Sequence, residues 1–292
     1  MTLYLGCPIW SFKGWVGSFY PEGTKAADYL REYARRLTAV EGNTTFYAVP
    51  APATLQKWAA EMPETFRFCP KVPRTMSHAG NLMYHIEEAA RFVEVMDQLG
   101  ERLGPMFLQL PPSYSPKAFD DLKEFLATWP PRIRLAVEVR HPGWFDSPTN
   151  ETLSQLLRER QMARVVIDTR PIRRLSGDKI LEGSTYLRLV QARERKSDVP
   201  ILPERTADFV FLRYIGHPQM GVNAVFLDDW GQYLASQLRE GADAYVFCHC
   251  PDERLDPWLC REFHARVGAK ISLPVLPWDQ VDADTFEQRR LI

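Results

Sequence analysis

RLAVEVRHPGWFDSPTNETLSQLL, residues 134–157, holds one β/α unit in full. RLAVEV (134–139) is a short apolar, β-branched run, and the period-two alternation of a strand puts Ala136 and Glu138 on the same face. At its exit stand Glu138, Arg140 and His141, followed by a Pro-Gly turn and Trp144. Asn150 is a residue type that caps helices, and Leu153, Leu156 and Leu157 behind it recur at the spacing of one apolar helical stripe. A strand that ends in charge and returns through an amphipathic helix is the repeating unit of a parallel sheet wrapped by helices.

The unit recurs along the chain. LYLG (3–6), AVEGN (39–43), FRFCPK (66–71), PMFLQL (105–110), RVVID (164–168), DFVFLRY (208–214) and AYVFCH (244–249) bring the strand-like runs to about eight. Helical patterns lie at 25–37, 52–61, 85–101, 117–128, 150–160, 227–240 and 256–267. Only 169–207 breaks the rhythm; its TYLRLV (185–190) is either a ninth strand at an edge or, the preferred alternative, part of an excursion. No linker-like change of composition divides the 292 residues. The pattern predicts an α/β TIM-like (β/α)8 barrel, a single domain over 1–292 with a long insertion between strands 6 and 7. A doubly wound open sheet is the rival.

Composition narrows the function classes. The chain is 45% hydrophobic and 25% charged with a formal net charge of −1, so nothing marks a general nucleic-acid coat. No apolar run is long enough for a membrane span, and MTLYLGCPIW lacks the basic start and apolar stretch of a signal peptide. With an odd count of five cysteines, these features predict a cytoplasmic protein with reduced thiols and no membrane partner.

Barrels of this kind work at the C-terminal ends of their strands. Reading each exit in turn yields Glu41 and Asn43, Lys71, Gln109, Glu138 and Arg140, Asp168, Arg213 and His249. Within each strand the polar residue shares a face with small or apolar ones, as Ala39 does with Glu41, Val166 with Asp168 and Phe211 with Arg213. If that face points inward, carboxylates, cations, amides and an imidazole converge on one mouth. Glu41, Glu138 and His141 are then the acid/base candidates. Asn43, Lys71, Gln109, Arg140, Asp168, Arg213, His249, Trp10 and Tyr47 are the ligand-binding candidates. Structural ion pairs, such as Glu41 with Lys71 and Glu138 with Arg213, are the competing account of the same residues.

Other features are weaker. FCHCPDE (247–253) has metal-ligand residue types, but Cys248 and Cys250 face away from His249 on a strand and no second C-x-x-C exists. A divalent metal on Glu138, Asp168, His249 and Glu41 is chemically admissible. Arg170, Arg173 and Arg174 follow the sixth strand, where they could grip phosphate or lie in a solvated loop. Trp10, Phe12, Trp15, Phe19 and Tyr20 crowd the first loop, suited to stacking on a ligand or to folding over the barrel end. No G-x-G-x-x-G, Walker loop or G-x-S-x-G elbow is present.

Taken in order, G-C-P-x-W with W-x-G-x-F-Y-P (6–21), VEGNTTFYAVP (40–50), FCPKVPRTMSH (68–78), LGPMFLQLPPSY (103–114), AVEVRHPGW (136–144), FLRYIG (211–216) and VFCHCPDE (246–253) closely resemble the YecE-like family, number seventy-two among the domains of unknown function. The resemblance implies a TIM-like barrel with a polar cavity at the strand ends, mapping onto Glu41, Asn43, Lys71, Gln109, Glu138, Arg140, His141 and Arg213. It supplies no established reaction. The family's barrel is similar to those of xylose isomerase and endonuclease IV, whose metal-ligand sets this histidine-poor chain does not reproduce. Many members carry an asparagine pair where this chain has His249 and Cys250.

These features favour a small polar or anionic ligand at the barrel mouth and, as a reaction class, hydrolysis or isomerisation of a phosphorylated or sugar-like compound. A nucleic-acid-binding module or nuclease, and a sensor or partner-binding barrel without catalysis, are the alternatives.

Overall fold

The computed structural model describes residues 1–281. Among these residues eight parallel strands form: β1 Leu3–Gly6, β2 Ala39–Gly42, β3 Arg67–Pro70, β4 Met106–Gln109, β5 Leu135–Glu138, β6 Ala163–Asp168, β7 Phe209–Ile215 and β8 Asp243–His249. Six of them make one sheet in the order β1-β8-β7-β6-β5-β4, and β2 pairs with β3 separately. The strands thus match the expected positions, while the ladder is six strands plus two. Backbone hydrogen bonds cross both seams. Thr38 N donates to Leu5 O at 3.2 Å and Glu41 N to Cys7 O at 3.1 Å on one side; Gly104 N donates to Phe68 O at 2.8 Å and Val72 N to Phe107 O at 3.0 Å on the other. Each seam has a proline close by, Pro8 or Pro70, which has no N–H to extend a ladder.

Side chains from all eight strands meet in one buried inner cluster that includes Tyr4, Ala39, Cys69, Phe107, Ala136, Val165, Phe211 and Phe247. The sheet therefore curls around this layer. Gly6 allows the approach of β1 to β2, since a Cβ there would sit 2.2 Å from Ala39 O. The opposite strand faces pack beneath helices such as Thr149–Glu159 and Ala224–Arg239, whose stripes bury Leu153, Leu156 and Leu157 in the first and Leu227, Trp230 and Leu234 in the second.

The aromatic first loop packs back into the core of its own chain. Trp15 and Phe19 pack edge to face at 5.4 Å, Trp15 Nε1 donates to Glu253 O at 2.8 Å, and Tyr20 OH donates to Trp10 O at 2.5 Å. The long crossover contains short turns and the helix Gly183–Arg195, so TYLRLV is helical within an excursion and not an edge strand. Its alternation misleads because the buried residues are Leu189 and, partly, Ala192, three apart on one helical face against Ile172 and Ile215. No helix among the described residues is long and apolar enough to cross a membrane.

Candidate functional site

One side-chain layer above the inner cluster, the same strand faces present Glu41, Lys71, Gln109, Glu138, Arg213 and His249. The local sequence builds these exits. Thr45, in the turn after β2, donates its hydroxyl to Gly42 O at 2.9 Å and to Lys71 O at 2.6 Å, joining the ends of β2 and β3.

Arg213 is the hub. Its Nε and Nη2 donate to the two carboxylate oxygens of Glu41 at 2.8 and 2.9 Å, and Nη1 donates to Glu138 at 2.7 Å. Glu41 also accepts from Asn43 Nδ2 at 2.6 Å. His249 Nε2 lies 3.1 Å from Glu41; an ionised carboxylate can only accept, so that ring nitrogen carries the proton. Glu138 accepts from Arg140 Nε at 2.7 Å and Gln109 Nε2 at 2.8 Å, and Gln109 Oε1 accepts from Lys71 Nζ at 2.8 Å. Lys71 Nζ stands 4.1 Å from the ring centre of Phe46.

The electrostatics follow from this arrangement. Burial works to raise the pKa of Glu41, but Arg213 and His249 outweigh it and hold the carboxyl well below its ordinary range. Burial likewise opposes ionisation of Glu138, yet Arg213, Arg140 and Lys71 bring it down to about 2. Burial and Arg213 lower Lys71 to about 7 against the pull of both glutamates. Lys196, just past the helix Gly183–Arg195, is lowered to about 8 by burial and by Arg213, which brings the excursion into the field of the same mouth. Burial lowers His249 to about 4 despite Glu41. Partial burial, Lys71 and Arg140 lower His78 to about 4.

The charges do not balance. Two carboxylates, Glu41 and Glu138, face the guanidiniums of Arg213 and Arg140 and the amine of Lys71, which has no carboxylate at ion-pair distance among the described residues. The mouth carries surplus positive charge.

Four sequence candidates lie differently from expectation. Asp168 is on the opposite face of β6: Val165 belongs to the inner layer, so Asp168 points outward, accepting from Trp230 Nε1 at 2.7 Å and pairing with Arg170. Trp10 packs its indole edge on Trp58 at 5.3 Å and on Phe68 at 5.7 Å in the outer core. His141 uses Nδ1 to accept from Gly143 N at 3.1 Å, capping the turn Pro142–Phe145. Tyr47 is exposed at the rim, edge-on to Phe46 at 5.2 Å. The arginines after β6 are engaged internally: Arg173 bonds Lys196 O at 2.9 Å, and Arg174 lies over the Phe226 ring at 5.6 Å.

A divalent cation does not fit this donor set. Arg213 stands between Glu41 and Glu138 where a metal would have to sit, Asp168 faces away, and no three metal-ligating side chains converge among the described residues. Sequence reasoning missed Lys196 and His78. His78 closes FCPKVPRTMSH and was legible as a polar loop after β3, whereas Lys196 sits in an ordinary charged run with no local signal. A cleft of about 270 Å³ near Tyr4, Arg67 and Tyr245 marks the other end of the strands. There Arg134 is already matched by Asp208 at 2.6 Å and Asp243 at 2.9 Å, and Arg67 donates to the backbone oxygens of Glu64 and Phe66.

Residues 4–281 match the family model described as "Protein of unknown function DUF72". The UPF0759 protein YecE of Escherichia coli K12 is 34% identical over 280 residues, covering 93% of this chain and 97% of that protein. The UPF0759 protein YunF of Bacillus subtilis is 26% identical over 257 residues, 84% of this chain and 87% of its own. Among solved structures, a DUF72 family protein from Enterococcus faecalis aligns with a TM-score of 0.70 at 19% identity, covering 94% of this chain and 98% of its own. One from Thermotoga maritima aligns at 0.67 and 21%, covering 91% and 99%. With a family model spanning nearly its whole length, the chain belongs to the DUF72 family of proteins of unknown function.

Proposed function

We propose that the mouth is a binding site for a small anionic compound, phosphorylated or sugar-like, in a single-domain TIM-like barrel whose two seams close the eight strands. The observation that carries this is the uncompensated charge of Lys71 and Lys196 beside a guanidinium pair already neutralised by Glu41 and Glu138. An anion seated there would meet the surplus positive charge of the mouth. Isomerisation is favoured over hydrolysis by carboxyl acid/base catalysis. Glu41 and Glu138 are held ionised with their oxygens occupied, which leaves Lys71 as the mouth group that exchanges a proton near neutral pH. A nucleic-acid site draws less support, because Arg170, Arg173 and Arg174 bind their own chain.

The test is a thermal-shift titration with inorganic phosphate, sugar phosphates and short oligonucleotides on wild type and on the Lys71→Met/Lys196→Met double variant. A ligand for the native state raises Tm by mass action. Stabilisation of wild type by phosphate compounds, lost in the double variant, supports the site. No shift with any anion, or an equal shift in both proteins, overturns it.

A further inference from the structure

The cations of the mouth differ in what they donate to. Arg213 and Arg140 are each bonded to carboxylates. Lys71 instead meets a neutral amide oxygen, Gln109 Oε1, at 2.8 Å, and a ring face, Phe46. Gln109 is oriented from its other end. Glu138 is ionised and accepts only, so the amide NH2 must point to it and the carbonyl must point to Lys71. An amide carbonyl is satisfied by a single N–H, which a neutral amine also has. It does not pin the proton on the lysine as a carboxylate would. The amine's lone pair is then left directed away from Gln109.

The surroundings supply the rest of a reaction site. Burial and Arg213 bring Lys71 to about 7, so a large fraction is free amine at neutral pH. Arg140 commits Nε to Glu138 while its two Nη groups have no acceptor among the described residues. An amine nucleophile thus stands beside a receptor for an acid group.

From this geometry we infer that Lys71 is a nucleophile that forms an imine with a small anionic aldehyde or ketone, a 2-oxo acid or a carbonyl phosphate, whose acid group Arg140 holds. The inference rests on the anion site proposed above and names its substrate class. In the step, the Nζ lone pair forms a bond to the carbonyl carbon and the C=O π pair moves to oxygen. One proton passes from nitrogen to that oxygen to give a carbinolamine. A second proton, from water at the mouth, lets the hydroxyl leave as water while nitrogen forms C=N. The sum is amine plus carbonyl plus one proton giving iminium plus water, with no oxidant or reductant.

The test is reductive trapping. Wild-type protein is incubated near neutral pH with pyruvate, dihydroxyacetone phosphate or pyridoxal 5′-phosphate, reduced with cyanoborohydride, digested and mapped by mass spectrometry. The expected result is a secondary-amine adduct concentrated on Lys71 and absent from Lys71→Arg. Because mapping is done on wild type, the result does not depend on the variant folding. If phosphate stabilises wild type but label is spread over surface lysines with Lys71 unmodified, imine chemistry is overturned and the anion site stands. If there is neither a phosphate shift nor an adduct on Lys71, both are overturned.

Discussion

Arg213 grips Glu41 through two hydrogen bonds, Nε to Oε2 at 2.8 Å and Nη2 to Oε1 at 2.9 Å, with both side chains almost wholly buried. Removing one charge of such a pair leaves the other desolvated and underpaired. Glu41→Gln is expected to cost about 3 kcal/mol of stability. Urea unfolding measures it, and an unchanged midpoint would show that the pair contributes nothing to the fold.

The acid limb of stability follows from depressed pKa values. Glu138 sits at about 2 in the folded protein against an ordinary 4.5, so its contribution is complete above 4.5 and disappears as pH falls through about 2. His249, at about 4 against 6.5, has the same sign: its contribution is present above 6.5 and lost as pH falls through about 4. Unfolding free energy should therefore begin to decline below pH 6.5 and fall further below 4.5. A profile flat from neutrality to pH 3 contradicts this.

Lys71 governs the alkaline side. Its folded pKa of about 7 lies below the ordinary 10.5, so the folded state binds fewer protons between these values and stability rises with pH across that window. Lys71→Met should reduce the rise, leaving the part that Lys196 contributes between about 8 and 10.5. The same slope in wild type and variant would mean that the lysine is not depressed.

Asp168 is expected to behave as a structural residue. Asp168→Asn weakens the bonds to Trp230 and Arg170 and should cost about 1–3 kcal/mol. Phosphate affinity, measured by calorimetry, should stay at the wild-type value. A selective loss of binding without loss of stability would place Asp168 in the site after all.

Gly6→Ala tests the β1/β2 seam. Its Cβ would overlap Ala39 O, so the backbone must shift, at a cost of about 2 kcal/mol. A fall in Tm checks this, and an unchanged Tm would mean that the seam can open without penalty.

Much of the strand layout was legible because each strand carries its own signal. LYLG and the run around Glu138 are apolar, short and bounded by turn residues, and period two correctly grouped Glu41 with Ala39 and Arg213 with Phe211. Period two gives parity but not direction. In β6 the inward face carries Ala163 and Val165 and ends without a polar residue, whereas the outward face carries Arg164, Val166 and Asp168; the polar strand exit marked the inward face in the other strands, so Asp168 was expected on the wrong side. Trp10 misled for a related reason: an indole fits a ligand or a core equally well until the helix carrying Trp58 is seen beside it. Lys196 needed the path of the excursion, which depends on tertiary contacts of Leu189 with Ile172 and Ile215.

The Arg213 hub also bears on how the chain reaches its native state. Its two glutamates lie 172 and 75 residues earlier in the sequence, so no local segment can assemble the mouth. Closing loops of that size is slow and is rewarded only when the intervening strands have docked. A partly folded chain would carry loose, hydrated charges in place of a weaker version of the site. Ligand competence and completion of the fold should therefore arrive in the same kinetic phase.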